Sequence, residues 1–252
     1  DIILPRLKKN YIKTKLFHRI VRTIGVPESK LAARIKDWEE ALPKEIKLAY
    51  LPTMGSVKLR LTAMNDANGV IRNQVEHQIE KLIPIIKKDI YGYDKEEIEE
   101  AIGRLLKERG LTLATAESCT GGFLSHRITS VAGSSQWFKG GVIPYSNELK
   151  TQELQVGTEV LTKYGAVSEP VVKILADNVR KTFGADVAVS ISGIAGPGGG
   201  TKEKPVGTVW IGYADSQKVV AKEFHFTKDR RINIQYTAIA AMNMIRLNLP
   251  TE

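Results

Sequence analysis

At 252 residues the chain exceeds one ordinary domain of roughly 100–200 residues and suits two, and its 42% hydrophobic content excludes wholesale disorder. No apolar run approaches the roughly 18 residues of a membrane span. The single cysteine, Cys119, rules out a disulfide framework and a cysteine-cluster metal site, and four scattered histidines argue against a His-based one. The formal net charge of +9 is uneven: residues 1–93 hold 18 basic and 10 acidic side chains, and residues 94–252 hold 19 and 18. Residues 1–36 carry 10 basic side chains against only Asp1 and Glu28. Such a segment could bind a nucleic acid or another polyanion, but without an aromatic stacking cluster the reading as a solvated, lysine-rich surface or linker is favoured. The opening Asp1-Ile2-Ile3-Leu4-Pro5 has neither Met nor a signal peptide, which suggests a fragment or a processed chain with a reducing, cytoplasmic home.

In chain order, Lys15–Val26 alternates as a strand, with Leu16, Ile20 and Ile24 among basic residues. Pro27-Glu28-Ser29 opens a helix with Leu31, Ile35, Trp38 and Leu42 on one stripe. A hairpin follows, turning at Met54-Gly55-Ser56, and then a helix from Gly69 to Ile90 that Pro84 should kink. The order β-α-β-β-α predicts a small α+β domain over 1–93. Tyr91-Gly92-Tyr93 breaks the pattern, so the boundary is expected there, with Asp94 capping the next helix. Over 94–252 short apolar runs alternate with helical ones, which predicts an α/β layer domain. Its last two strands are separated only by Asp215-Ser216-Gln217-Lys218, so they form a hairpin and the sheet is mixed.

Four segments carry candidate chemistry. Ala116-Glu117-Ser118-Cys119-Thr120-Gly121-Gly122 joins a buried-looking strand to a helix. Such a junction offers main-chain N–H groups and a hydroxyl to a ligand, or it is simply a capped helix start. It matches neither the G-x-S-x-G elbow nor a Walker loop. Gly140–Lys150 is a second strand-end loop. Lys150 in the first helical turn repels the dipole's positive end, which would lower its pKa if it faces inward; otherwise it is a solvated lysine. Ser192–Gly207 holds six glycines in sixteen residues and could cradle a phosphate or ribose, or be a flexible surface loop. Thr227-Lys228-Asp229-Arg230-Arg231 starts the last helix, with Arg230 placed to hold a phosphate or Asp229 merely capping.

The stretches AESCTGG, GSSQWFKGGVIPYSNELK, GAVSEPVV and SISGIAGPGGGTKEKPVGTVW, in that order over about 94–252, resemble the C-terminal domain of the competence/damage-inducible CinA family. Stand-alone members of that family are nicotinamide mononucleotide deamidases of the PncC type. Residues 1–93 resemble the KH-type domain that precedes it in full-length members. Those usually begin with a molybdopterin-binding-like domain, used as an ADP-ribose pyrophosphatase, of which this sequence has no trace; it is expected to be the trailing part of a longer protein. The resemblance implies a three-layer α/β/α fold with a mixed sheet. It also implies hydrolysis of nicotinamide mononucleotide to nicotinic acid mononucleotide and ammonia, without metal or organic cofactor. Ser118 matches the nucleophile and Lys150 its base. The main-chain amides around Thr120, Gly121 and Gly122 would bind the oxyanion. Tyr145 and Asn147 would line the pocket, Arg230 would hold the 5′-phosphate, and Glu117 and Gly196 are counted among the substrate-binding residues.

Four departures from the family pattern stand out. Lys228 replaces the usual Gly before Asp-Arg, Ile234 an Arg one turn on, Gly198 a common Asp, and Pro144 a common Thr. Loss of the second Arg bears on phosphate affinity more than on the chemical step. Residues 1–93 have no obvious G-x-x-G loop between helices, so RNA binding does not follow from the KH resemblance. The rival reading is a nucleotide- or nucleic-acid-binding module of a competence or damage response with a degenerate deamidase site. Weak nucleic-acid binding by 1–93, no membrane association and a homo-oligomer are the expected partner relations. Cys119 is expected to be structural, and Glu117 and Glu148 to point away from Lys150 or to be paired elsewhere.

Overall fold

A computed structural model describes residues 16–64 and 70–250. The expected start of the second helix at Gly69 and the basic residues before Leu16 lie outside them. The chain divides into two units, Asp1–Glu96 and Glu97–Glu252.

In the first unit β1 (Leu16–Ile24), α1 (Glu28–Glu40), β2 (Ile46–Thr53), β3 (Ser56–Met64), α2 (Val70–Ile86) and β4 (Ile90–Tyr93) build an antiparallel sheet in the order β2-β3-β1-β4. Alternation decides its faces. Val57, Leu59 and Leu61 of β3 turn inward with Val21 of β1, onto Leu31 and Ile35 of α1 and Leu82 and Ile86 of α2. The indole N–H of Trp38 donates to the carbonyl of Gln78, 3.0 Å away, tying the two helices together.

Three local expectations need correction here. Tyr91-Gly92-Tyr93 is not a break but part of β4, which pairs with β1. A four-residue strand with Gly at its centre lacks the alternation that would announce it. Asp94 does not cap a helix. It sits at φ 52°, its carboxylate pairs with Arg19 and accepts from the N–H of Ile20 at 3.0 Å, and it closes β4 onto β1. The helix start is Glu97, whose N–H donates to the Glu100 carboxylate at 2.7 Å in a capping box. Helix α2 ends at Ile86, two residues past Pro84, and not at Ile90.

The second unit runs α3 (Ile98–Glu108), β5 (Leu113–Glu117), α4 (Phe123–Thr129), a 3-10 turn (Ser134–Gln136) and β6 (Phe138–Val142). It continues with α5 (Asn147–Leu154), α6 (Thr158–Tyr164), α7 (Glu169–Thr182), β7 (Val187–Gly193), β8 (Thr208–Ala214), β9 (Val219–His225) and α8 (Arg230–Asn248). The sheet order is β6-β5-β7-β8-β9. Strand β5 is parallel to both β6 and β7, while β7-β8 and β8-β9 are antiparallel, so the sheet is mixed as expected. Helix α7, with α5 and α6 against it, covers one face; α8, flanked by α3 and α4, covers the other. This is a three-layer α/β/α fold. With both faces of the sheet covered, all five residues of β5 are buried, Thr115 and Glu117 among them.

From β5 the chain crosses to β6 on one side and returns to β7 on the other. Connections that leave in opposite directions open a crevice at the carboxyl ends of the strands. That crevice lies directly beyond Glu117. No helix among the described residues is long and apolar enough to cross a membrane, and no cluster of metal-ligating side chains occurs among them.

Candidate active site

The turn after β5 is held from below. Glu117 is fully buried, and its carboxylate accepts from the N–H groups of Gly122 (3.2 Å), Leu124 (3.0 Å) and Ser125 (2.7 Å) and from the Ser125 hydroxyl (2.6 Å). Gly122, at φ 94°, precedes α4 and has no side chain with which to cap it. Glu117 does that work from five residues upstream, satisfying the first-turn donors and placing a carboxylate at the dipole's positive end. Glu117 is thus a support of the loop, not one of the substrate-contacting residues it was expected to join; both its oxygens are occupied by the protein.

Ser118 stands at the carboxyl end of β5, its N–H donating to the carbonyl of Ile191 on β7 at 3.1 Å. Its hydroxyl faces Lys150. The lysine projects from α5, whose N-cap Ser146 accepts from the N–H of Leu149 at 3.2 Å. Lys150 is 1% exposed, and Nζ lies 3.2 Å from Oγ of Ser118. The amine donates to the carbonyls of Pro144 (2.8 Å), Tyr145 (3.2 Å) and Ser146 (3.4 Å). Burial pushes its pKa below the ordinary lysine value, against the opposing pull of Cys119 and Glu148. In its neutral form the amine has two N–H groups to share among these three carbonyls and one lone pair, which suits acceptance from the Ser118 hydroxyl. Glu117 is engaged elsewhere, as expected. Glu148 still acts on Lys150, and its carboxyl pKa is lowered by its own backbone N–H and by Ser146.

Cys119 is buried against Gly193, where an added Cβ would lie 3.0 Å from Sγ. Burial pushes its thiol up to about 12, so at neutral pH it carries its proton.

The other strand-end loops converge. Arg230, first residue of α8, donates to the carbonyl of Gly196 at 2.8 Å and to the hydroxyl of Tyr145 at 2.9 Å. Three segments distant in sequence thus meet, with the Tyr145 ring 56% exposed beside them. Asp229 caps the helix, accepting from the N–H of Ile232 at 3.0 Å. Asn147 does not join the group. It lines an open groove of about 390 Å³ between α5 and α6 with Glu148, Thr151, Gln152, Thr158, Leu161 and Thr162, a groove to which neither Ser118 nor Arg230 contributes.

Two supports escaped sequence reading. Asn233 is 1% exposed and donates to the carbonyls of Ala195 (2.9 Å) and Thr227 (3.0 Å), clasping the glycine-rich loop to the start of α8. Lys204 donates to the carbonyls of Tyr164 and Val167, both at 2.8 Å, pinning the far end of that loop. An amide within an otherwise apolar helix face was the available signal for Asn233; Lys204 had none.

Two family models match successive parts of the chain: the CinA C-terminal domain matches residues 95–249, and the KH domain of damage-inducible protein CinA matches residues 18–92. The chain belongs to the CinA family. A CinA-like protein of Cytophaga hutchinsonii is 49% identical over 249 residues, covering 99% of this chain and 60% of that protein. A competence-damage inducible protein of Thermoanaerobacter pseudethanolicus is 39% identical over 246 residues, 98% of this chain and 59% of its own. The chain therefore spans about three fifths of the length of these curated CinA relatives. Among solved structures, the competence/damage inducible protein CihA of Agrobacterium tumefaciens is 37% identical with a TM-score of 0.57, covering 61% of this chain and 97% of that one.

Proposed function

We propose that residues 97–252 are an amidohydrolase converting nicotinamide mononucleotide to nicotinic acid mononucleotide and ammonia. The observation that carries this reading is the buried amine of Lys150 against the hydroxyl of Ser118, 3.2 Å apart at the carboxyl end of the central strand. A hydroxyl becomes a useful nucleophile when an adjacent base takes its proton, and a desolvated lysine can be that base.

The steps balance as follows. Lys150 accepts the Ser118 proton as Oγ bonds to the carboxamide carbon, and the carbonyl π pair moves onto oxygen. The tetrahedral intermediate reforms the carbonyl, the C–N bond breaks, and the Lys150 ammonium returns its proton to the departing nitrogen, which leaves as ammonia. Water then attacks the acyl ester, Lys150 again taking a proton, and the acid is released with Ser118 restored. The choice of pyridine nucleotide rests on the resemblance to the family's deamidases and on Arg230, whose exposed guanidinium beside Tyr145 suits a phosphate. The degenerate-site reading is disfavoured by a nucleophile and base both present and in reach.

Ammonia release from nicotinamide mononucleotide by the purified chain tests the reading. Stoichiometric ammonia and nicotinic acid mononucleotide are expected, and both should vanish in Ser118→Ala. No ammonia from the wild-type chain overturns it.

A further inference from the structure

A serine that attacks a carbonyl needs donors for the oxygen that becomes negative. The turn after Ser118 is the natural source, and its main-chain N–H groups can be accounted for one by one. That of Ser118 donates to Ile191, that of Gly121 to the Ser118 carbonyl at 3.0 Å, and that of Phe123 to the Thr120 carbonyl at 3.1 Å. Those of Gly122, Leu124 and Ser125 donate to Glu117. The two glycine amides expected to bind the oxyanion are therefore already spent. Cys119 and Thr120 remain, the N–H of neither having a protein acceptor among the described residues.

Thr120 stands out a second time. It is 4% exposed, yet its hydroxyl oxygen is buried with no partner among the described residues. Buried hydroxyls are normally bonded, and those nearby obey the rule: Thr115 and Ser125 share a hydrogen bond of 2.8 Å, and Ser125 also donates to Glu117. An unmatched buried donor two residues past the nucleophile, on the residue whose main-chain N–H is also free of a protein acceptor, is a pair of donors awaiting one oxygen.

We propose that Thr120 is the oxyanion-binding residue of this site, its hydroxyl and its main-chain N–H both donating to the substrate carbonyl oxygen as Ser118 adds to the carbon. Both donors keep their protons throughout. The inference rests on the amidase reading for the role of Ser118 but not on the identity of the substrate.

An activated ester separates the two. With p-nitrophenyl acetate, Ser118 is acylated and p-nitrophenolate released in a burst whatever the site recognises naturally. Thr120→Val removes the hydroxyl while keeping shape and main-chain N–H, and should slow the burst about 100-fold, the cost of losing one oxyanion donor. Thr120→Ser keeps the hydroxyl and should stay within about tenfold of wild type. Packing of the methyl group alone would reverse that order. Thr120→Ala serves in place of Thr120→Val if the latter does not fold, and thermal unfolding checks each variant. A burst in Thr120→Val as fast as in wild type overturns the assignment, as does equal slowing in Thr120→Ser, or acetylation of wild type anywhere but Ser118. Ammonia release from nicotinamide mononucleotide in the same preparations is scored separately. A normal wild-type burst without ammonia removes the proposed substrate and leaves Thr120 in place.

Discussion

Lys150 is where the physics of one residue sets the chemistry. It serves as a base only when neutral, and burial disfavours its ammonium form. The rate of nicotinamide mononucleotide hydrolysis should therefore rise with pH on an inflection below the ordinary lysine value of about 10.4. Stability follows the same sign. Between the native pKa and about 10.4 the unfolded chain binds a proton that the native state does not, so stability rises with pH across that window. Lys150→Arg should abolish turnover at every pH, since a guanidinium does not deprotonate in this range. An Arg variant with near-normal rate would show that water takes the Ser118 proton. The neighbouring thiol gives a second contrast. Cys119 is intrinsically the better nucleophile, but buried and protonated it should be dispensable. Cys119→Ala is expected to keep at least about a tenth of the rate while Ser118→Ala loses several orders of magnitude; the opposite pattern would exchange their roles.

The segment from β5 to α4 is an element whose start is capped from the preceding strand. Four donors share the Glu117 carboxylate, three of them main-chain N–H groups. Glu117→Gln places an amide nitrogen where an oxygen accepted, setting donor against donor in a buried place. It should destabilise the fold by about 2 kcal/mol or more in urea unfolding, since each buried donor left unpaired costs about 1–3 kcal/mol. Loss of activity without loss of stability would place Glu117 in contact with substrate after all. From sequence, Glu117 reads as one more polar residue of a binding loop, because the direction of its side chain is set by the helix it caps. Asp94 illustrates the converse error: a short polar residue before a helical run looks like a cap, yet its partner is a strand some seventy residues earlier.

Across the whole molecule, charge is unevenly divided. In the first unit the basic residues of the sheet are sorted by the pleat: Lys58 and Arg60 alternate with the inward Val57, Leu59 and Leu61, and Lys47 pairs in register beside Thr62 on the same side as Arg60. A face of one sign favours a polyanion through counterion release. The proposal of weak, sequence-indifferent nucleic-acid binding by this unit carries a clear signature. Affinity for single-stranded nucleic acid should fall steeply with salt, at a slope of about −0.7 per phosphate contacted. Binding unchanged between low and high salt would dismiss it. The described helices α1 and α2 are separated by the β2–β3 hairpin, so the helix–loop–helix setting of a G-x-x-G clamp does not occur between them.

Composition, hydropathy period and turn residues determine the class of each element by themselves, because a strand buried on both faces and an amphipathic helix write different patterns into the chain. Two units, a mixed sheet and strand-end loops at Ser118, Tyr145 and Gly196 were all legible that way. The family motifs added Ser118 and Lys150 as a pair. Only the tertiary structure decided which side chains of those loops meet. It joined Tyr145, Gly196 and Arg230, turned Glu117 inward and Asn147 away, and left Thr120 with two unused donors. The physical reason is that a hydrogen bond depends on direction and on what else competes for the same atom. Both are properties of neighbours brought in from distant parts of the chain, and local sequence does not encode them.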